Sequence, residues 1–239
     1  MQKTIGLIGG MSWESTAVYY RLINEIVRDR LGGLHSADVV MRSVDFDRIV
    51  KWQKAGEWGK AADHLADIGR KLEAADAGCV LICTNTMHLV ADAVADGCGI
   101  PLIHIVDVTG EALVAAGAKK PLLLATRYTM EQTFYRDRLK ARYGLDAVVP
   151  DEAGRAVVHD TIFNELCCGK VVERSKQAYL DVIEKGRAAG CDSVILGCTE
   201  IGLLISANDI DLPVFDSTTL HATAAVEFAL GSQPQSKVA

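Results

Sequence analysis

Two short polar clusters, each closing an apolar run, hold the residue types in this chain that could move a proton. One is Cys83-Thr84-Asn85-Thr86-Met87-His88 after Val80-Leu81-Ile82; the other is Gly197-Cys198-Thr199-Glu200 after Val194-Ile195-Leu196. A thiol, with an ordinary pKa of about 8.5, serves as a general acid or base once its surroundings tune it. Its reactive form is the thiolate, which a helix N-terminus favours, and Cys198 is expected at such a start. Thr84 is a far weaker acid, and a hydroxyl there equally suits a helix cap. His88, one turn into the following helix, reads as an acid/base or as a packing residue behind the site. Glu200 either orients Thr199 or simply begins a helix. Cys79, Cys98 and Cys191 read as small buried hydrophobes.

The two clusters are related. Val80 aligned on Val194 without gaps places Cys83 on Gly197 and Thr84 on Cys198. The runs Ile5-Gly6-Leu7-Ile8-Gly9-Gly10 and Pro121-Leu122-Leu123-Leu124-Ala125-Thr126 repeat at almost the same offset, 124 − 8 = 116 residues against 194 − 80 = 114. One half-molecule used twice is the simplest account. Facing copies would set a thiol or hydroxyl on each side of a single cleft. Alternate side chains of a strand point to opposite faces, so Cys83 should turn away from the face that Thr84 uses. Cys83 is therefore the lesser candidate for the second acid/base.

The elements that must hold these clusters alternate strand and helix. Apolar runs of four to six residues are expected as strands at Thr4–Ile8, Ala37–Val44, Val80–Ile82, Pro101–Val106, Pro121–Ala125, Ala147–Val149, Ser193–Leu196 and Val214–Phe215. Helical spacing is expected over Trp13–Arg30 behind a cap at Ser12, Gly59–Ala75, a stretch through Val90 and Val94, and Glu111–Ala116. It recurs over Glu131–Tyr143, Arg155–Leu166, Val172–Ala188 and Thr219–Leu230. The pattern predicts an α/β chain of two similar lobes, each a mostly parallel sheet covered by helices and related by a pseudo-two-fold duplication. Residues 1–112 with 217–230 form the first expected lobe, 113–216 the second, and 231–239 a disordered tail. In such sheets a ligand sits beyond the carboxyl ends of the strands. Four polar ends meet there: Gly9-Gly10-Met11-Ser12, Thr84-Asn85-Thr86, Thr126-Arg127 and Cys198-Thr199-Glu200. Their amides and hydroxyls suit a carboxylate.

Composition narrows the partners. Hydrophobic residues make up 49% and charged residues 23%, ordinary values for a globular domain, and the net charge of −6 gives no basic footprint for nucleic acid or anionic membranes. No apolar run approaches the roughly 18 residues of a membrane span. Seven cysteines, an odd number behind a start with no leader-like segment, indicate a reducing compartment and hence the cytoplasm. The glycines of Gly6–Gly10 do not fit G-x-G-x-x-G, and the cysteines and histidines lack zinc spacing, so no dinucleotide and no metal is expected.

With Gly6-Leu7-Ile8-Gly9-Gly10-Met11-Ser12, Asn85-Thr86-Met87-His88 and Gly197-Cys198-Thr199-Glu200 in hand, the chain resembles the cofactor-independent aspartate/glutamate racemase family over essentially its whole length. It is most similar to the bacterial L-aspartate/glutamate-specific branch, which shares the wording Cys-Thr-Asn-Thr-Met-His. The resemblance implies racemisation of an acidic amino acid without pyridoxal phosphate or metal, by proton transfer on two faces of the α-carbon, in a homodimer. It implies Cys198 as one acid/base; Thr84 stands where members usually carry a second Cys. It also places an Arg near the substrate, here Arg48 in the loop after the second strand, with Gln53 one helical turn further on. Arg42 and Arg127 are alternatives. Cys167 occupies the neighbourhood where many members have a Lys. Malonate decarboxylation, maleate isomerisation and a catalytically impaired amino-acid-binding protein are the competing readings. The segment Trp52–Trp58, with two tryptophans expected to be exposed around Gly56, reads as a lid or as a dimer contact.

Overall fold

Among the described residues, runs of Val, Ile and Leu form six strands in two separate three-stranded parallel sheets, and helices separate the strands in sequence. The computed structural model describes residues 2–231. The chain divides into two units: one runs up to His104 and resumes at His221, and the other is Ile105–Leu220. The expected tail beyond Gly231 lies outside the described residues.

The first unit contains β1 (Thr4–Gly9), α1 (Trp13–Leu31), β2 (Val39–Ser43), α2 (Phe46–Ala55), α3 (Trp58–Glu73), β3 (Ala77–Ile82), a 3₁₀ turn at Thr86–Val90 and α4 (Ala91–Gly97). Its sheet runs β2-β1-β3, and an isolated bridge from Val80 to Leu102 adds a fourth position. Period-2 alternation splits the strand side chains between two cores. Ile5, Leu7, Cys79, Leu81 and Cys83 pack with Tyr19, Ile23 and Val27 of α1. Ile8, Val80 and Ile82 pack on the other face with Ile49, Leu65, Ile68 and Val94.

The second unit contains α5 (Ile105–Ala115), β4 (Pro121–Ala125), α6 (Arg127–Glu131), α7 (Phe134–Tyr143), α8 (Glu152–Asn164), a 3₁₀ turn at Leu166–Cys168 and α9 (Glu173–Ala188). It continues through β5 (Ser193–Gly197), α10 (Ile201–Leu204) and β6 (Val214–Asp216). Its sheet runs β4-β5-β6, and a bridge from Leu122 to Val148 adds a position beside β4. One apolar core fills it, from Leu122–Ala125 and Val194–Leu196 to Tyr135, Val158, Tyr179 and Ile183. The last helix, α11 (Ser217–Leu230), starts in this unit, and its Ala222, Ala225, Val226 and Ala229 belong to the core around Ile5 and Tyr19 of the first.

With the two bridges counted, both sheets have the same order: second segment, first, third, fourth. The register repeats as well. Gly6 pairs with Val80 and Ile8 with Ile82, while Leu122 pairs with Val194 and Leu124 with Leu196. The offsets of 116 and 114 residues read from the sequence carry one pairing onto the other. The duplication is thus a property of the fold, and within it Thr84 and Cys198 occupy equivalent positions one residue beyond the last equivalent pair of strand-end residues, Cys83 and Gly197.

Five expectations need correction. Pro101–Val106 is not a strand, because only Leu102 bridges and a helix begins at Ile105. The buried set Ile105, Val106, Thr109, Gly110 and Leu113 follows helical spacing, so an apolar run that looked extended is one helix face. A Cβ on Gly110 would overlap the Tyr143 ring, and this close approach of α5 to α7 places α5 in the second unit. Ala147–Val149 likewise reduces to a single bridge. The expected helix Glu131–Tyr143 is two, broken where Gln132 is extended. Arg48 lies in α2 rather than in a loop, and Trp52 and Trp58 are partly buried against the core, Trp52 lying edge-on to His64.

Candidate active site

In the first unit the end of β1 turns sharply at Gly10, whose φ of +88° and whose contact with the Val44 backbone leave no room for a side chain. Its N–H donates to Thr16 Oγ1 at 2.8 Å. Ser12 caps α1 by accepting from the Ser15 N–H, and the Ser15 hydroxyl donates to the Cys83 carbonyl at 3.2 Å. The start of α1 is thereby tied to the end of β3. Met11 is buried in the core, which leaves its backbone as what it offers a ligand.

Beyond β3 the chain bends at once, with the Thr84 N–H donating to the Ile82 carbonyl at 2.7 Å. Thr84 is half-buried, whereas Asn85 and Thr86 are buried. Cys83 has no exposed surface, packs with Tyr19 and Ala222, and burial pushes its thiol far up. His88 Nδ1 lies 2.8 Å from the Thr84 carbonyl; a carbonyl only accepts, so Nδ1 carries the proton. The His88 ring packs edge-on to His104 and His221 at 4.7 and 5.6 Å. His221 donates from Nε2 to the Ile103 carbonyl at 2.7 Å, and its Nδ1 accepts from the Tyr19 hydroxyl at 2.8 Å. Burial lowers the His221 pKa to about 4. Gln53, buried on α2, reaches the same segment through Nε2 to Met87 Sδ at 3.1 Å. Arg48 is exposed; together with Arg42 it helps burial lower the pKa of His64.

In the second unit three groups converge on one buried carboxylate. Glu200 Oε2 accepts from Cys198 Sγ at 2.9 Å and from Thr199 Oγ1 at 2.6 Å, and Oε1 accepts from Cys167 Sγ at 3.8 Å. Thr126 stands at the N-cap position of α6, at the neighbouring end of β4, with its hydroxyl 3.2 Å from that of Thr129. Arg127 is exposed, and its backbone N–H donates to His159 Nδ1.

The favoured thiolate expected at Cys198 is overturned. Burial and the adjacent Glu200 charge, which also accepts the thiol proton, push the Cys198 pKa well above that of a free thiol. The helix that follows is only Ile201–Leu204, and it begins three residues on. The resting state is a protonated thiol hydrogen-bonded to a carboxylate. Glu200 neither merely orients Thr199 nor merely starts a helix; it holds three neighbours. Sequence reasoning missed Ser15, Thr16, Tyr19, His104 and His221 around the first strand end. Ser15 and Thr16 were within reach of a capping argument from Ser12, while His221 lies 133 residues beyond His88 (221 − 88) and gave no local signal.

The chain is similar to a Yersinia pestis protein assigned as an Asp/Glu racemase, with 49% identity, TM-score 0.90, and coverage of 95% of this chain and 99% of that one. An aspartate racemase homologue from Pyrococcus horikoshii matches at 34% identity and TM-score 0.86 over 96% of this chain and all of the other. The broad specificity amino-acid racemase RacX of Bacillus subtilis is 21% identical over 96% of this chain and 99% of its own length. The family model for Asp/Glu/Hydantoin racemase matches residues 8–225, nearly the whole chain including both strand ends. The chain therefore belongs to the Asp/Glu/Hydantoin racemase family, a family of isomerases.

Proposed function

We propose that the protein racemises an acidic amino acid, aspartate or glutamate, by moving protons on two faces of the α-carbon, with Cys198 and Thr84 as the two acid/base groups. The observation that carries this is the repeated register, which gives these two residues equivalent places in duplicated sheets. Inverting a carbon centre needs one group to take a proton and another to deliver one oppositely, and a duplicated half supplies two such groups. In one direction the Cys198 thiol protonates the α-carbon after its other proton has left to Thr84 or a water that Thr84 holds. In the other, Cys198 becomes the base once its own proton has passed to Glu200 Oε2, 2.9 Å away. Asn85, Thr86, Thr126 and Thr199, with the amides around Met11 and Ser12, supply donors for the carboxylates and for the charge that develops between the two transfers. Gln53 and Arg48 are the side chains of α2 assigned to the substrate, and Cys167 supports Glu200.

Incubation with L-aspartate or L-glutamate in deuterated water tests this. The expected result is α-deuterium in the product together with the D-enantiomer, in protein dialysed against chelator and hydroxylamine. Thermal stabilisation by the amino acid with no exchange would mark a binding protein and end the reading. Release of carbon dioxide from a substituted malonate without exchange would make it a decarboxylase.

A further inference from the structure

The carbonyl of Thr84 has an unusual partner. Among the described residues, the imidazole of His88 donates to it from Nδ1 at 2.8 Å, across four residues and against a buried background of two further imidazoles. The preceding carbonyl, that of Cys83, accepts from Ser15. Two consecutive peptide planes at the end of β3 are therefore held by side chains, and the plane of Thr84 is held by one ring. The duplicated half offers no equivalent, since the position matching His88 is Gly202 (88 + 114 = 202) and Cys198 is held through its own thiol by Glu200.

We infer that His88 is a positioning residue for Thr84. Its Nδ1–H fixes the peptide plane from which the Thr84 hydroxyl projects, and the packed rings of His104 and His221 fix His88 in turn. The inference rests on the reading of Thr84 as an acid/base. A neutral imidazole otherwise favours the proton on Nε2, so the geometry requires a particular tautomer, and that requirement does not depend on any activity. His88 needs no contact with substrate for this role. A shift of about 1 Å in a reacting group costs on the order of a hundredfold in rate, so a donor on the neighbouring carbonyl matters to the proton transfer on that face alone.

Two measurements test it. Long-range nitrogen–proton spectra of the wild-type protein, with histidine labelled at nitrogen, should show His88 protonated on Nδ1 and His221 on Nε2. His88 protonated on Nε2 overturns the inference whether or not the protein racemises anything. The second compares variants by α-deuterium exchange and racemisation, each started from either enantiomer. Asn places an N–H where Nδ1 stands, and Gln places one where Nε2 stands. His88→Asn should retain racemisation within a few-fold. His88→Gln should lose roughly a hundredfold in racemisation, with KM unchanged and with exchange surviving for the enantiomer whose α-proton faces Cys198. Equal losses in Asn and Gln variants, or a parallel fall of both half-reactions, would reduce His88 to a packing residue. A wild-type protein with no exchange at all would instead remove the racemase reading and leave the tautomer result standing.

Discussion

The ends of β3 and β5 occupy the same place in two copies of one sheet and are stabilised by opposite means. At β3 the polar side chains around Thr84 hold backbone: Ser15 on the Cys83 carbonyl and His88 on the Thr84 carbonyl. At β5 a carboxylate holds side chains directly, gathering Cys198, Thr199 and Cys167 around Glu200. The first arrangement fixes geometry. The second carries a buried charge and fixes a proton. Duplication supplied the scaffold twice, and the residues beyond each strand then diverged in what they control.

Removing the thiol should break the comparison most severely. Cys198→Ser is expected to keep the fold and lower turnover on the order of a thousandfold, since a positioned acid/base contributes about 10²–10⁴. Racemisation kept above a few per cent of wild type would show that proton transfer does not run through β5.

The next effect concerns the β3 side. His221 titrates at about 4 in the folded protein against an ordinary 6.5, so the unfolded chain binds the extra proton between those values. Stability therefore falls as the pH drops from about 6.5 to about 4, by up to roughly 3 kcal/mol, and His221 adds nothing further below that. Melting temperatures across this range should show the slope, and His221→Leu should flatten it around a lower starting stability. An unchanged slope would mean that His221 is not held neutral by burial.

Glu200→Gln sharpens the charged side. Glu200 raises the Cys198 pKa, so loss of its charge should lower that pKa and hasten alkylation of Cys198 at pH 7–8, followed on the Cys198 peptide. Racemisation should nevertheless fall about tenfold or more, because the thiol proton loses its acceptor. Slower alkylation would reverse the assigned electrostatics. The smallest effect belongs to Cys83→Ala, expected to cost about 1 kcal/mol of stability and leave turnover near wild type, while Thr84→Ala loses it. The opposite pattern would move the second acid/base to Cys83.

Most of the scaffold was legible in the sequence because strand registers are set by apolar alternation, which survives in the letters. The offsets of 116 and 114 residues, read as a repeat, reappear as the pairing of Gly6 with Val80 and Leu122 with Val194. Ile105 and Val106 misled because four apolar residues within the five positions 102–106 fit a strand and a buried helix equally. The state of the thiol was illegible for a different reason. Glu200 stands two residues beyond Cys198, a spacing silent on whether its carboxylate turns back, and that return reverses the expected shift. The imidazole cluster joins residues from the segment after β3, the loop at residue 104 and the last helix, and no local pattern announces such a meeting.

Helix α11 makes the first unit depend on residues more than a hundred positions further along the chain than the rest of it. Ala222, Ala225, Val226 and Ala229 complete the apolar layer over Ile5 and Tyr19, and the Lys3 N–H donates to the Ala229 carbonyl. The unit around Ile5 thus lacks a wall until α11 has been made, whereas Ile105–Leu220 is contiguous and has its whole core once translated. Until α11 follows, the Ile5, Leu7 and Tyr19 surface of the growing chain stays uncovered, the interval in which chaperones engage such faces. Premature termination near residue 216 would leave that surface open permanently, so truncated products of this gene are expected to aggregate rather than accumulate as a folded half.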